Sequence, residues 1–180
     1  LGENLSIDSL NFTGAGTAST NSVPLGADGS TLSLNAATSI TDQNNVTYAA
    51  GTGLVVQAGS AAHIIDVSML LGRSQTWEID NSPANALTVN GSLGDGGAGY
   101  SLTKSGTGNL ILSGANTYAG STNVNGGTLI FAGNETGIGS GLNVQNGALQ
   151  LATGGSISSA SAVTLGDGST GSGLFILGDA

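Results

Sequence analysis

Two six-residue stretches of this chain repeat at an offset of 20 residues. Residues 124–129 read Val-Asn-Gly-Gly-Thr-Leu, and residues 144–149 read Val-Gln-Asn-Gly-Ala-Leu. A fixed period near 20 residues is typical of solenoids, in which one unit cannot bury its apolar face alone and stacks on its neighbours. The repeat therefore predicts a stack of similar coils.

Looser copies extend the repetition. A third valine, Val163, follows Val144 by 19 residues, and residues 89–93 form a shorter Val-Asn-Gly-Ser-Leu version. The turn Leu-Gly-Asp recurs at three places, with residues 25–28 as a looser relative: 93–95, 165–167 and 177–179.

Short apolar-rich runs cover the chain, and each ends at Gly, Asn, Asp or Ser. Most alternate apolar and polar residues with a period of two, which indicates half-buried strands. Residues 60–71 would also satisfy a helical face, and we interpret them as strand. The runs are 5–12, 31–35, 54–57, 63–71, 75–80, 86–89, 100–103, 109–113, 122–124, 128–132, 142–144, 148–152, 162–165 and 173–177.

Composition and charge exclude several classes of protein. The 32 glycines with only 2 prolines suit frequent tight turns. The net charge is −9 and the only cations are Arg73 and Lys104, so neither nucleic acid nor an anionic lipid surface is expected as a partner. There is no cysteine. Even the longest apolar runs, such as Leu174–Leu177, are far shorter than the ~18 residues of a membrane span, so we expect no membrane insertion of this segment.

These patterns predict an all-β fold, a β-solenoid of about 20–25 residues per coil. Residues 1–180 would form a single solenoid segment, which we interpret as part of a longer chain. Seven to nine turns would rise about 35–45 Å. The expected partners are the flanking coils of the same chain, other copies of it, or ligands on host or environmental surfaces.

The region 75–129 resembles the passenger-associated β-strand repeat of bacterial autotransporters. The resemblance rests on residues 106–129, preceded by Leu-Thr-Lys-Ser at 102–105 and by 75–77 and 87–89. The resemblance implies a right-handed parallel β-helix. It also implies a passenger exported across a Gram-negative outer membrane, located outside the cell or on its outer surface. The positions that define the repeat are Trp77, Gly106, Gly108, Leu110, Leu112, Gly114, Asn116, Thr117, Tyr118, Gly120, Val124, Gly126, Gly127, Leu129, Val144, Gly147 and Leu149.

Each of these positions also has a physical interpretation. Leu110 and Leu112 would point inward, and the glycines would permit sharp corners. Tyr118 would cover apolar surface while its hydroxyl stays in water. Trp77 alternates with Glu78, so we interpret it as a core residue rather than a ligand-stacking one.

The candidate catalytic groups are few. A β-helix that cleaves polysaccharides needs clustered carboxylates, and only Asp66, Glu78 and Asp80, with Arg73 and Lys104, qualify. We interpret the carboxylates as solvated surface groups. His63, the only histidine, is expected to be satisfied by local hydrogen bonds, and no Gly-x-Ser-x-Gly motif is present.

The glycine-rich stretches 94–99 and 166–171 fit the dinucleotide fingerprint by letter but lead into strands, so they predict turns. Residues 96–101 approach a calcium-binding nonapeptide once, with Ser101 where the carboxylate should be. We predict no cofactor and no dedicated metal site, although Asp95, Asp167 and Asp179 could bind cations weakly. The favoured function is a structural or adhesive stalk without catalysis. The alternatives are a self-assembling extracellular fibre subunit and a carbohydrate-active β-helix enzyme.

Overall fold

Almost all regular structure in the chain is short β-strand. A computed structural model describes residues 4–13, 29–42, 44–136, 139–157, 162–166 and 172–178, and the backbone of 21–23. These residues include one turn of 3-10 helix, η1, at Pro83–Asn85. None of their helical structure is long and apolar enough to cross a membrane.

The strands contain two to five residues each, because each one ends where the chain turns a corner. In chain order they are Leu5–Ile7 (β1), Leu10–Phe12 (β2), Asn21–Val23 (β3), Thr31–Leu34 (β4), Ile40–Thr41 (β5), Thr47–Tyr48 (β6), Thr52–Val56 (β7), His63–Ile65 (β8), Ser68–Leu71 (β9), Gln75–Ile79 (β10), Leu87–Val89 (β11), Leu93–Gly94 (β12), Leu102–Ser105 (β13), Asn109–Leu112 (β14), Thr122–Val124 (β15), Thr128–Phe131 (β16), Asn134–Glu135 (β17), Leu142–Val144 (β18), Ala148–Leu151 (β19), Ser156–Ile157 (β20), Val163–Leu165 (β21) and Leu174–Leu177 (β22).

Successive coils stack as parallel sheets. The first sheet has the order β2-β7-β10-β13-β15-β18-β21, and the second has the order β22-β19-β16-β14-β11-β8-β3. A third face carries β1-β4-β9-β12 and the pair β17-β20. The predicted all-β solenoid is confirmed, with about 6 turns of about 23 residues each.

The number of turns is smaller than the seven to nine predicted. Leu10 pairs directly with Leu54, although 44 residues separate them. Part of this long coil is an antiparallel hairpin in which β5 pairs with β6. The hairpin is tied to the first sheet by a 3.0 Å hydrogen bond from the Asn44 amide to Gln57. This insertion uses residues that would otherwise have built another coil.

The segment 60–71 contains strand, as predicted, but not the single run predicted for 63–71. The chain turns a corner between β8 in the second sheet and β9 on the third face. Burial alternates without a break across this corner, with Ile65 and Val67 buried and Asp66 exposed. A pattern of period two therefore could not reveal where one strand ended and the next began.

The clearest sequence repeat is one full coil. Val124 pairs with Val144, and Leu129 pairs with Leu149. The looser copies are not equivalent positions. Val163 pairs with Leu142 rather than Val144. Residues 89–93 begin in the second sheet, whereas 124–129 begin in the first.

The Leu-Gly-Asp turn is not a structural repeat either. Leu93 lies on the third face, Leu165 in the first sheet and Leu177 in the second. Its recurrence reflects the frequent use of glycine and aspartate after any strand that turns a corner.

The core is one continuous cluster of inward-facing side chains between the sheets. In each sheet, parallel pairing places the inward residue of one coil directly over that of the next. The central column of the first sheet is Leu10, Leu54, Trp77, Lys104, Val124, Val144 and Leu165. The matching column of the second sheet is His63, Leu87, Leu110, Leu129, Leu149 and Phe175.

We predict that Leu129→Ala lowers the free energy of unfolding by about 2–5 kcal/mol, because it leaves a cavity in a fully buried position. The neighbouring Ile130 faces outward and is only partly buried. Ile130→Thr keeps the β-branched shape and should cost less than about 1 kcal/mol. Urea unfolding followed by circular dichroism measures both values, and equal costs would contradict the assigned strand orientation.

Candidate functional site

Lys104 lies inside the solenoid, in the middle of an apolar column. Trp77 lies over it on one side and Val124 on the other, and the lysine is fully buried. Its Nζ donates hydrogen bonds to the carbonyl oxygens of Ser105 (3.3 Å), Gly106 (3.3 Å) and Gly126 (2.9 Å). The three N–H donors of an ammonium group thus meet three acceptors from the corners of two neighbouring coils.

This burial changes what Lys104 can do. Desolvation lowers its pKa to about 8, and the carboxylates of Glu78 and Asp80 act in the opposite direction. From the sequence, Lys104 was only a candidate base near these acids, and its burial was not predicted. The ammonium instead acts as a cross-link between two corners of the backbone.

Glycines make room for this cross-link. A Cβ on Gly126 would lie 2.8 Å from the oxygen of Gly106, and one on Gly127 would lie 2.2 Å from the oxygen of Gly108 and 2.7 Å from Lys104 Nζ. Gly127 also has a φ of +57°, which side chains rarely adopt. The corners of successive coils therefore stack backbone against backbone.

The other repeat glycines answer the same need for close approach. In each case a Cβ added to the glycine would come within 2.7 Å of an oxygen atom of the preceding coil or corner. The glycines and the oxygens that their Cβ atoms would meet are Gly106 with Ile79 O (2.4 Å), Gly108 with Asn81 Oδ1 (2.5 Å), Gly114 with Gly91 O (2.3 Å), Gly120 with Tyr100 O (2.2 Å) and Gly147 with Gly127 O (2.7 Å). Among all these repeat glycines only Gly106 and Gly127 have positive φ. Turning sharp corners, the role predicted for them, is thus secondary to contact between coils.

Asn116 joins three successive coils on the third face. Its Oδ1 accepts a hydrogen bond from the Leu93 N–H of the preceding coil (2.8 Å). Its Nδ2 donates to the Gly114 carbonyl (3.1 Å) within its own coil and to Glu135 Oε1 (2.7 Å) of the next. The neighbouring Thr117 N–H donates to the Leu93 carbonyl at 2.8 Å. This amide occupies a position where other coils carry apolar side chains.

Glu135 follows Asn116 by 19 residues and is also fully buried. Burial raises its pKa to about 8, while the hydrogen bond from Asn116 acts in the opposite direction. Near neutral pH the carboxyl group is therefore largely protonated. Sequence reasoning missed Glu135, although its distance from Asn116 is close to one coil.

Two aromatic residues of the repeat region, Trp77 and Tyr118, lie in the core. Trp77 is fully buried, and its Nε1 donates to Gln75 Oε1 at 3.2 Å. Tyr118 is fully buried as well, and its hydroxyl lies 2.6 Å from Thr122 Oγ1. The prediction of a wet tyrosine hydroxyl is wrong, because the side chain crosses the interior to Thr122. Burial raises the pKa of Tyr118.

His63 is also placed differently from the prediction. It faces inward, is almost completely buried, and stacks on Phe12 with ring centroids 4.2 Å apart. Neither ring nitrogen has a hydrogen-bond partner among the described residues. Burial lowers the pKa of this histidine, which favours the neutral ring. Packing, rather than local hydrogen bonds, holds it in place.

The candidate catalytic carboxylates do not form a compact group. Asp66 is exposed at the end of β8 in the second sheet and accepts a 2.7 Å hydrogen bond from Asn90. Glu78 lies on β10 in the first sheet, where it bonds to Ser105 of the next coil. In the described part of the chain, no group of three or more His, Cys, Asp or Glu side chains could hold a metal ion.

Asp95 organises the first glycine-rich stretch, which forms a turn as predicted. Its carboxylate accepts backbone hydrogen bonds from Gly97 (2.9 Å), Tyr100 (2.8 Å) and, in the next coil, Ala119 (3.1 Å). Burial acts to raise its pKa, but these hydrogen bonds outweigh burial and lower it. Asp167, Asp179 and residues 25–28 lie outside the described residues.

Part of this region matches a known family of repeats. Residues 102–131 match the family model of the passenger-associated transport repeat. The matched stretch contains Lys104, Asn116 and Tyr118 and runs from β13 to β16. It carries this repeat, and the resemblance found in the sequence is confirmed there. Comparisons with curated proteins and with solved structures gave no significant match.

We predict that Gly127→Ala lowers the free energy of unfolding by more than about 3 kcal/mol, since it adds a clash with the Gly108 carbonyl to an unfavourable backbone conformation. Gly97 also has a positive φ, +82°, but a Cβ there meets nothing within 4 Å. Gly97→Ala should therefore cost only about 1–2 kcal/mol. Urea unfolding compares the two variants, and equal losses would show that close contact between coils is unimportant.

We predict that Glu135→Gln stabilises the protein at pH 8 by up to about 4 kcal/mol and changes its stability little at pH 4.5. The folded-state pKa, about 8, lies above the ordinary value of 4.5. Between these values the folded protein keeps a proton that the unfolded chain releases, so stability falls as pH rises. Glutamine keeps the acceptor for Asn116 without this dependence.

Urea unfolding at both pH values tests this expectation. Asp66→Asn is the control, because Asp66 is exposed and the substitution also removes one carboxylate. A gain for Glu135→Gln that is equal at both pH values would contradict the buried, protonated state of Glu135.

Proposed function

We propose that this chain is a stiff structural segment of a passenger-type protein, in which stacked coils set the length of a rod. The observation that carries this proposal is that the matched repeat, residues 102–131, spans about one and a half coils of the parallel stack. Each coil adds about 4.8 Å along the axis. Backbone pairing between successive coils stiffens such a rod along its length.

The location and the lack of catalysis are part of the same proposal. A passenger-associated transport repeat supports a secreted or surface-displayed protein of a Gram-negative bacterium. Asp66 follows a strand of the second sheet, whereas Glu78 and Asp80 lie at β10 in the first. The three candidate acids therefore do not form one cluster, which supports a role without catalysis. Adhesion would then belong to exposed surfaces of the rod, such as the β5-β6 hairpin or the outer faces of the sheets.

Removing one coil tests the structural role. Deletion of residues 125–144 takes out one period and joins Val124 to Gln145, so the inward column stays in register. We predict that this variant folds with the same β-sheet spectrum. The distance between spin labels at Ala98→Cys and Ala162→Cys, both exposed, should shorten because the stack loses about 4.8 Å of height. The natural chain has no cysteine, so the labels attach only there.

Deletion of residues 125–134 is the matched control. It removes half a coil and would place strands of the first sheet over strands of the second. This variant should unfold or lose most of its stability. If the half-coil variant were as stable as the full-coil variant, the proposed rod of stacked coils would be contradicted.

A further inference from the structure

We infer that the outer surface of the first sheet binds a neutral polysaccharide, starting in a groove beside β7, β10 and β13. Binding of this ligand would be a function additional to the structural role proposed above, which requires no binding surface. The inference rests on the lining of the groove, on a continuous row of polar side chains leading from it, and on the charge of the chain.

The groove is open to the surface and has a volume of about 330 Å³. It is lined by residues 49–51, among them Ala49 and Ala50, where the inserted hairpin returns to the sheet, and by the start of three strands. The other side chains that reach its surface carry hydroxyl groups and no charge: Ser74, Thr76, Ser101 and Thr103. A volume of this size suits a small ligand unit such as one or two sugar rings.

The serine hydroxyls at the groove are held in place. Ser74 Oγ accepts a hydrogen bond from the Ser101 N–H at 3.0 Å, and Ser101 Oγ accepts one from the Ser121 N–H at 3.1 Å. In both bonds the serine oxygen is the acceptor, so its hydroxyl hydrogen can still be donated to a ligand. Fixed donors of this kind reduce the entropy lost on binding.

A row of polar side chains continues from the groove across the sheet, one residue per coil. We call it the outer row; it consists of Thr76, Thr103, Asn123, Asn143 and Thr164. Asn143 Nδ2 donates to Asn123 Oδ1 at 2.9 Å, and Asn123 Nδ2 donates to Thr103 Oγ1 at 3.4 Å. Neighbouring rungs lie about 4.8 Å apart, so the row offers hydrogen-bonding groups at a regular spacing.

A neutral glycan fits these groups better than other polymers do. An extended peptide would bind a sheet edge or an apolar pocket, whereas the outer row lies on a sheet face and is polar. An acidic polymer would meet only the exposed Arg73 as a cation near the groove, against a net charge of −9. Repeating hydroxyl groups on a neutral chain match the regular, uncharged row.

The second sheet presents a different outer surface and supplies the control. Its corresponding row is mostly aliphatic: Ile64, Thr88, Ile111, Ile130, Gln150 and Ile176. Thr88 is a partly exposed, outward-facing threonine of β11, as Thr76 is of β10. The same substitution can therefore be made on both sheets.

Affinity electrophoresis through gels containing dextran, mannan or a soluble β-glucan, with polygalacturonate as the acidic comparison, tests the inference. The native chain should be retarded by at least one neutral polymer and not by polygalacturonate. Thr76→Val/Thr103→Val keeps the β-branched shape but removes two hydroxyls, and should weaken retardation about tenfold or more. Thr88→Val should leave it unchanged.

Circular dichroism of each variant shows whether the stack is intact, which separates lost binding from lost structure. Retardation by polygalacturonate alone, equal retardation of both variants, or no retardation of the native chain by any of the neutral polymers would overturn the inference. None of these outcomes would affect the coil-deletion test of the rod itself.

Discussion

The parallel hydrogen-bond ladder between successive coils is the interaction on which the rest of this structure depends. The Asn125 N–H donates to the Lys104 carbonyl at 2.8 Å, and one coil later the Gln145 N–H donates to Val124 at 2.9 Å. Such a ladder places each residue over its counterpart in the preceding coil, about 4.8 Å away. The environment of a side chain is therefore set by residues one period away along the chain.

This dependence on residues one period away explains why polar side chains can be buried inside the rod. Lys104 is tolerated because carbonyls of its own corner and of the next one converge on its ammonium group. Asn116 is tolerated because Leu93 and Glu135 supply complementary groups from the coils on either side. A shift of one residue in register would turn these side chains away from their partners and leave buried polar groups unsatisfied. The polar interior thus favours one stacking register over its neighbours.

The fold was largely predictable, because alternation and the 20-residue repeat both follow directly from the geometry of stacked strands. The predictions failed where several structures share one local pattern. The alternation of buried and exposed residues continued through the corner at Asp66, and the Leu-Gly-Asp sequence occurred on three different faces of the solenoid. For the site, the repeat glycines were found from the resemblance, but Glu135 was not, since one buried acid leaves no local signature.

By itself, the sequence determined that the chain is built of short strands separated by glycine-rich corners, and that 124–129 and 144–149 occupy equivalent positions. Those properties depend on neighbouring residues and on a repeat that can be read directly. Only the tertiary structure decided that Lys104, Tyr118 and His63 lie inside, because their burial depends on coils about 20 or more residues away. Alternation along a strand was enough to place apolar residues such as Leu110 and Trp77 in the core. For Lys104, Tyr118 and His63, whose side chains carry polar groups, only the stacking of distant coils decided the outcome.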